Sequence, residues 1–501
     1  METIPEKLQD FKSFEKEIFD IMCGIARGIM REHLEMLDLS IMGLRDTEEY
    51  RNKDIRESTI KTLMGEVTYS RRYYKTTDGR YVFLLDELMG IDCGCGLYSD
   101  NLVEQTVIEC TEKSYRKAAA SISSLTGQNI SAMGAWGVLQ NFGEKLTQQE
   151  NQLRELDACE STGYLGNISS RVIMQEMDDV WLSMQNEKRQ KRLENPTDEA
   201  AVNETTETTQ KKSKKAGKKP IHVGIAYTGW TQTKDGKHKT ANKIAYASFD
   251  KTTKFVSDFE MLMRHRYDMD GVERRITNGD GDPWIKAAAE MSDSIFQLDP
   301  YHRSQAIIRA ISEKSDRNDI YAAIKEKDVD NALDIISDLH KATQDEKEQK
   351  KIEELYNYFH SNKDNLLTWQ ERGITLPEPP TGVTYRNLGV QESNNCSLVT
   401  LRMKHRRCSW SVNGADHMAG ILCYRHTIGL DTMLGVLPEA PPAKEIVQPL
   451  SAAKAPLHDG KGYGADWLRT EMPFEQAFKT NGREAIRGIL RMKPPSGLYF
   501  V

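Results

Sequence analysis

At 501 residues, with 38% hydrophobic and 29% charged side chains, the chain is long enough for more than one domain and apolar enough to bury a core. It has no apolar run long enough to span a bilayer, and its start, METIPEKLQDFKSFEKEIFD, lacks a signal pattern; a cytoplasmic protein with no membrane partner is expected. A net charge of −7 argues against a surface basic all over, so any contact with nucleic acid must come from local basic patches.

The first predicted element is a long helix. Phe11, Phe14, Ile18, Ile21, Ile25 and Ile29 recur at spacings of three and four and form one apolar stripe. Such a stripe either packs on its own domain, the ordinary case, or forms a dimer seam. The stretch IKTLMGEVTYSRRYYKTTDGRYVFLL then reads as a β-hairpin. Val67, Tyr69, Arg71 and Tyr73 alternate with polar neighbours, and Asp78-Gly79 supplies the turn. Arg71, Arg72, Lys75 and Arg80 make the ribbon basic, which suits either a solvated face or a phosphate contact. Cys93 and Cys95 form a C-x-C without a second pair at zinc spacing, so a reduced structural role is the simpler reading for them.

Next comes a helix ending near Thr126, a break at Gly127 and a second helix that Ser131 can cap. This is a helix-turn-helix outline, with Arg116 and Lys117 as candidate DNA-binding residues. From residue 171 the pattern turns to β: RVIMQEMDDVWLSMQ, HVGIAYTGWTQT and KIAYASFD read as three strands. The polar, lysine-rich stretch between the first two cannot bury a core and reads as a flexible loop. A helix near 253–267, the strand VERRITN, a helix from Pro283, the strand SIFQL and a helix near Pro300 follow, an α/β arrangement with a mixed sheet. Residues from about 312 to 372 are helical and charge-rich. NLGVQESNNCSLVTLRMKHRR reads as one more helix before a proline- and alanine-rich tail.

Three acids stand out along this α/β stretch. On the first strand Val172, Met174, Glu176, Asp178, Val180 and Leu182 share one face, and Asp179 points to the other. An acid in mid-strand is costly unless an arginine or a metal compensates it. Asp282 before Pro283 is explained as a helix N-cap. Asp280, between two glycines just past a strand end, is not so explained, and strand ends of α/β sheets are where ligands gather. Asp299 before Pro300 is another N-cap, with His302 in the first turn; Glu392 opens the late helix. Two unit charges at 4 Å repel by roughly 4 kcal/mol at an effective dielectric near 20. Mg²⁺ or Mn²⁺ removes that penalty, and two such ions about 3.5–4 Å apart can clamp both oxygens of a phosphodiester exchange.

The motifs TLMGEVTYSRRYY, YVFLLDELMG, QEMDDVWLSMQ, HVGIAYTGW, NGDGDPWIK, FQLDPYHRSQAI and ESNNCSLVTLRMKHRRCSWSVNGADHMA span most of the chain. Together they resemble the bacterial DDE insertion-sequence transposases of the ISLre type, relatives of the Mutator-like group once catalogued as an uncharacterised protein family. The resemblance implies a ribonuclease H-like mixed-sheet core interrupted by an all-helical insertion, after a mainly helical N-terminal region with a β-hairpin. It divides the chain into a helical segment (1–50), a hairpin element (51–98), a helix-turn-helix-like DNA-binding region (99–150), the first part of the core (171–311, with a flexible loop over 186–219), the insertion (312–375), the last part of the core (376–435) and a tail (436–501).

It also implies that Asp178, Asp280 and Glu392 are the catalytic acids and hold two Mg²⁺ or Mn²⁺ ions, with Asp299, His302 and Glu176 in support. Where the resembled pattern has E-x-D-G, this chain has Glu176-Met177-Asp178-Asp179, which leaves Asp179 as a possible first ligand, although strand parity favours Asp178. A glycine expected after RMK is also absent, because the chain reads RMKHRRCSW. The implied reaction is metal-dependent cleavage of element ends in double-stranded DNA and strand transfer by a homodimer or larger synaptic assembly. Arg402, Lys404, Arg406 and Arg407 are then phosphate-binding candidates alongside Arg71 and Arg72. Two other readings stay open: a DNA-binding protein that has lost catalysis, and a nuclease that cuts without joining.

Overall fold

The structure, a computed structural model, describes residues 10–91, 98–158, 166–185, 217–405 and 408–428. It is a mixed α/β protein with several sheets and two compact units. One unit holds the described residues up to Leu102 together with Thr126–Asn129; the other holds Val103–Leu125 and the described residues from Ile130 onward. Cys93, Cys95, Arg406, Arg407 and the predicted tail lie outside the described residues, as does most of the predicted 186–219 loop. No helix among the described residues is long and apolar enough to cross a membrane.

In the first unit, helix α1 (Phe11–Leu44) starts at Asp10, whose carboxylate accepts the Ser13 N–H at 2.6 Å. Its second half buries Leu34, with Met30, Leu37 and Ile41 around it, against Ile60, Val67, Tyr69 and Leu85. The predicted stripe behaves differently, since Phe11, Phe14, Ile18, Ile21 and Ile29 are all exposed. The register that packs the helix is therefore set by its C-terminal half. Strands β1 (Tyr50–Thr62) and β2 (Gly65–Thr76) form a long antiparallel hairpin. Its reversal is at Leu63-Met64, earlier than expected, and the Asp78-Gly79 turn only adds the short β3 (Tyr81–Val82). The inward alternation holds through Arg71 and then slips, so that Tyr74 rather than Tyr73 is fully buried; β1 carries a bulge opposite this point, between Asn52 and Asp54. Helix α2 (Leu84–Met89) closes the hairpin's inner face.

Helices α3 (Asp100–Glu112), α4 (Tyr115–Leu125) and α5 (Ala132–Ala158) come next. The Ser131 hydroxyl accepts the Gly134 N–H at 3.0 Å and caps α5, as its sequence position predicts. One face of α5 is committed to packing through Val138, Leu139, Phe142 and Leu146.

The second unit is built on a five-stranded sheet. Its strands are β5 (Val172–Ser183), β6 (Lys218–Tyr227), β9 (Ile244–Ser248), β11 (Arg274–Gly279) and β12 (Ile295–Leu298). Their order is β12-β11-β5-β6-β9. β5, β6 and β9 run antiparallel in sequence, and β11 and β12 join parallel to β5 on its other side. β6 begins at Lys218, so two residues expected in the loop are strand. The stretch HVGIAYTGWTQT is not one strand: it ends as β6 at Tyr227 and restarts as β7 (Trp230–Gln232), which pairs with β8 (His238–Thr240) and β13 (Val383–Thr384). Gly229 makes the break at φ +126°, where a Cβ would come within 2.6 Å of Val383. The short β4 (Ile168–Ser169) pairs with β10 (Tyr267–Asp268).

Helices α6 (Thr252–Arg266) and α7 (Pro283–Met291) cover one face of the large sheet, where Ile173, Met177, Phe255, Phe259 and Ile285 are buried together. After β12 comes α8 (Pro300–Ala310) and then the insertion: α9 (Lys314–Lys325), α10 (Val329–Ala342) and α11 (Glu346–Ser361). The insertion shares a core with α8 through Ile307, Ile320, Ile336, Leu355 and Phe359. The late helix starts as α12 (Gln391–Asn395) and widens into a π-helix over Cys396–Lys404, which the sequence reading missed because its spacing resembles an ordinary helix. Helix α13 (Val412–Ile428) lies against α5 and β9.

Between α5, α13 and β9 is a polar cavity of about 180 Å³ lined by Glu150, Arg154, Tyr246, Asp250, Asp416 and His417, among others. Arg154 donates to both oxygens of the buried Asp258, at 2.7 and 3.0 Å. Glu150 is left with the weaker contact to Arg154, at 3.7 Å, and burial pushes its carboxyl up to about 7 against the pull of Arg154. A carboxyl whose folded value lies above its unfolded 4.5 stabilises the fold only while protonated. Its contribution is therefore full below about pH 4.5 and is lost as pH rises through 7. Glu150→Gln removes that loss. Unfolding free energies from urea titrations at acid and at mildly alkaline pH should converge by on the order of 2–3 kcal/mol relative to the wild type. An unchanged pH profile would show that Glu150 is not the group responsible.

Candidate active site

Strand register brings the acids of the core to one level. β11 pairs in parallel with β5 so that its last partner there, Asn278, stands opposite Glu176; the same register carried two residues on leads Asp280 toward the level of Asp178. β11 pairs with β12 so that Gly279 stands opposite Leu298, and the next step sets Asp280 beside Asp299. Three acids thus line the same edge of three adjacent strands, at the carboxyl ends of β11 and β12.

The fourth, Glu392, arrives from a distant part of the chain, and Glu176 brings it there. The Glu176 side chain is fully buried, and its carboxylate accepts hydrogen bonds from both side chains and backbone. The Tyr227 hydroxyl donates at 2.5 Å and Asn278 Nδ2 at 3.1 Å; the backbone N–H groups of Gly389, Val390 and Gln391 donate at 2.9, 3.2 and 3.2 Å. Three consecutive N–H groups at a helix start form an anion-binding nest. The carboxylate is thereby a pin that holds the first turn of α12, and Glu392 within it, against β5. Burial pushes the Glu176 carboxyl upward, and the Tyr227, Gly389 and Val390 donors pull it back. One helical turn later, Asn395 Nδ2 donates to Asp178 Oδ2 at 2.7 Å, and Gln391 Nε2 donates to the Val223 carbonyl on β6 and to Asn395 Oδ1.

Asp178 is half-buried and pushed up to about 6. Burial is the main cause; the Asp179 N–H and the charge of His302 oppose it, and the negative charges of Asp280 and Glu392 add to it. The three acids therefore feel one another across a shared space. Among the described residues no group of three or more His, Cys, Asp or Glu side chains is placed so that it could hold a metal ion. The donor set is nonetheless of the kind a hard divalent cation takes: carboxylate oxygens, mutually repelling, on rigid strand and helix ends.

The roles of Asp280 and Asp282 differ from the sequence expectation. Asp282 occupies the N-cap of α7 before Pro283, but its side chain makes no capping hydrogen bond. Instead Asp280 Oδ1 accepts the Asp282 N–H at 2.9 Å, and Gly281, at φ +92°, turns the chain between them. Asp282 is left exposed, with its carboxyl raised by partial desolvation and then by Asp280 and Asp179. The Tyr358 hydroxyl, from the insertion, donates to the Asp280 carbonyl at 2.6 Å and steadies the same turn. Asp299 does cap its helix, accepting the Tyr301 N–H at 2.9 Å, and is buried. Asp179, on the opposite face of β5, pairs with His222 Nδ1 at 2.6 Å, and that ring packs on Trp284 with centroids 4.1 Å apart. Asp179 is thus committed away from Asp178, as parity predicts.

The basic candidates fare unevenly. Arg71 is buried, ion-paired with Asp86, and its guanidinium lies 3.9 Å from the centre of the Phe83 ring. Arg72 is paired with the buried Asp38. Arg402 is buried too: its Nε donates to the Cys110 carbonyl at 2.6 Å, and its guanidinium lies 5.2 and 5.3 Å from the Tyr115 and Trp410 rings. These three arginines tie elements together and do not present charge to a polyanion, which corrects the sequence expectation for each. Arg116, Lys117 and Lys404 are exposed. Sequence reasoning missed Asn395, Tyr227, Asn278, Gln391 and Tyr358, whose roles depend on partners far away in the chain. The polar run QESNN at the helix start was the only local hint.

A mixed α/β core with acids gathered at one strand edge is the class of protein this arrangement defines. The family described as uncharacterised protein family UPF0236 matches residues 6–195 and 199–433, and the chain belongs to that family. Relatives include a UPF0236 protein of Caldanaerobacter subterraneus subsp. tengcongensis, 24% identical over 413 residues, covering 81% of this chain and 74% of the relative. Another is the UPF0236 protein in the vanSb 3′ region of Streptococcus gallolyticus, 20% identical over 415 residues, covering 81% of this chain and 80% of its own. Among solved structures, the pre-cleavage Mos1 transpososome aligns over 54% of this chain and 80% of its own, with 8% identity and a TM-score of 0.12, too low for a shared overall superposition.

Proposed function

We propose that this protein is a metal-dependent DDE transposase that cuts and joins DNA at the ends of its own mobile element. The observation that carries the reading is that Asp280 and Glu392 lie near enough for their charges to raise the Asp178 carboxyl, Asp280 following the strand paired with β5 and Glu392 following the backbone that Glu176 binds. The strand order supports a ribonuclease H-like core: three antiparallel strands in sequence, then two parallel strands added beside the first. The repeated locus also supports it. The name of one Caldanaerobacter relative joins eleven locus designations, and one coding sequence at many loci is what a self-moving element leaves behind.

Asp178, Asp280 and Glu392 would hold Mg²⁺ or Mn²⁺. When bound, such ions supply an activated water and neutralise charge on the phosphodiester under attack. This chain's own groups do the positioning. Glu176 fixes the approach of Glu392, Asn395 orients one oxygen of Asp178, and Asp282 with Tyr358 fixes the turn that carries Asp280. His302 stands near enough for its charge to favour ionised Asp178, Asp282 and Asp299. A homodimer or larger synaptic assembly would bring two element ends together.

The test is a cleavage assay with the full chain, on duplex DNA that carries the sequence flanking its reading frame. The expected result is strand scission at the element boundary that needs Mg²⁺ or Mn²⁺ and stops with chelator, followed by joining to a second duplex. Chelator-insensitive scission, or none, would overturn the proposal; scission without joining would reduce it to a nuclease.

A further inference from the structure

A cleft of about 430 Å³ opens from the acid corner between α8 and α11. Asp280, Asp282, His302 and Tyr358 line its inner end, and Arg309 and Lys351 line it further along. The helical repeat explains the layout. His302 and Arg309 are seven residues apart on α8, and Tyr358 and Lys351 are seven apart on α11, so each pair shares a helix face. Seven residues at 1.5 Å each set both cations roughly 10 Å from the inner end. The two come from helices that are remote in sequence, yet they meet in one groove. Both are exposed, and neither makes an ion pair or hydrogen bond among the described residues. Glu354 also lines the cleft.

An edge carrying Asp178, Asp280, Asp282 and Glu392 repels a polyanion, so a strand that reaches it needs cationic support close by. Phosphates of one DNA strand lie further apart along the backbone path than the about 3.4 Å of axial rise per nucleotide, so roughly 10 Å of cleft spans about one or two nucleotide steps. We propose that this cleft seats the DNA strand leading away from the scissile phosphodiester, with Arg309 and Lys351 clamping a backbone phosphate about one or two nucleotide steps from the acid corner. The inference rests on the transposase reading and adds to it a substrate-holding role for the helical insertion. Arg309 supplies a planar fork that matches two phosphate oxygens, and Lys351 supplies a mobile point charge from the opposite wall.

The experiment measures binding of the full chain to a labelled duplex from the DNA flanking its reading frame, across a salt series. The variants are Arg309→Ala with Lys351→Ala, and Lys350→Ala, an exposed neighbour on α11 that does not line the cleft. The double variant should bind at least about tenfold more weakly at low salt, and its slope of log affinity against log salt should be shallower by about 0.9 for each phosphate that the protein no longer neutralises. Lys350→Ala should match the wild type. On duplexes trimmed to end at the cleavage position, without the strand that would enter the cleft, the double variant and the wild type should bind alike. A double variant with wild-type affinity and slope, while the wild type still cuts, would overturn the clamp alone. So would an equal loss in Lys350→Ala, which would mark a general field effect. A wild type that does not bind the flanking duplex at any salt would bring down the transposase reading, and the clamp with it.

Discussion

Replacing Asp178, Asp280 or Glu392 by Ala is expected to abolish cleavage of element-end DNA, by at least about 10³-fold, or ~4 kcal/mol of transition-state stabilisation. Binding to the same duplex should change by no more than a few-fold, because none of the three is a cation that meets phosphate. The stability of the metal-free protein supplies an independent readout. Asp178 is pushed up to about 6 by burial and by its two acidic neighbours, so its ionised form is disfavoured in the fold. Its stabilising contribution is full below its ordinary 3.8 and is lost as pH rises through 6. At pH values above that window, Asp178→Ala, Asp280→Ala and Glu392→Ala should therefore melt at or slightly above the wild-type temperature in the presence of chelator. Adding Mg²⁺ or Mn²⁺ should raise the wild-type Tm, by the ordinary linkage of ligand to fold, and leave the Ala variants where they were. Full cleavage by the triple variant would end the enzyme reading outright.

Glu176 is expected to behave in the opposite way: its loss damages the fold first and the chemistry as a consequence. Glu176→Ala strands the buried Tyr227 hydroxyl, Asn278 amide and Gln391 N–H, together with the partly buried N–H groups of Gly389 and Val390. Leaving such donors without an acceptor costs about 3–5 kcal/mol in total, since each charge-assisted bond carries about 1.5–3 and the losses are not additive. Glu176→Gln keeps the shape but turns an NH₂ group toward other donors, so it should lose part of that stability and most of the cleavage activity. Urea denaturation would measure the first effect, as a lower midpoint with an unchanged slope. The cleavage assay would measure the second, with DNA affinity as the control. A Glu176→Ala protein as stable as the wild type would show that the carboxylate does not pin α12.

These two results would separate acids that look alike in sequence. Glu176, Asp178 and Asp179 fall within four residues of one strand, and period-two alternation does sort them onto faces. Alternation says nothing about which acid is capped by donors and which faces other acids. That difference arises from Gly389–Gln391, more than two hundred residues away. The same limit explains the misassigned arginines. Arg71, Arg72 and Arg402 sit in basic, strand- or helix-periodic stretches that read as charged faces. Burial against Asp86, Asp38 and the Tyr115–Trp410 pair removes them from that role.

The elements whose signals are local are legible in the chain alone. They are the strand–helix alternation from residue 171 onward, the cap at Ser131, the Asp-Pro helix starts at 282 and 299, the helical character of the insertion and the opposed faces of Asp178 and Asp179. Periodicity, capping and proline geometry act within a few residues, so they can be read there. Folding alone supplies the five-strand order, the register that pairs β11 with β5 and β12, the Glu176 pin on the start of α12, and the cleft shared by Arg309 and Lys351. Each of these joins groups brought together by sheet pairing and core packing, interactions whose energy depends on surfaces that no local stretch of chain contains.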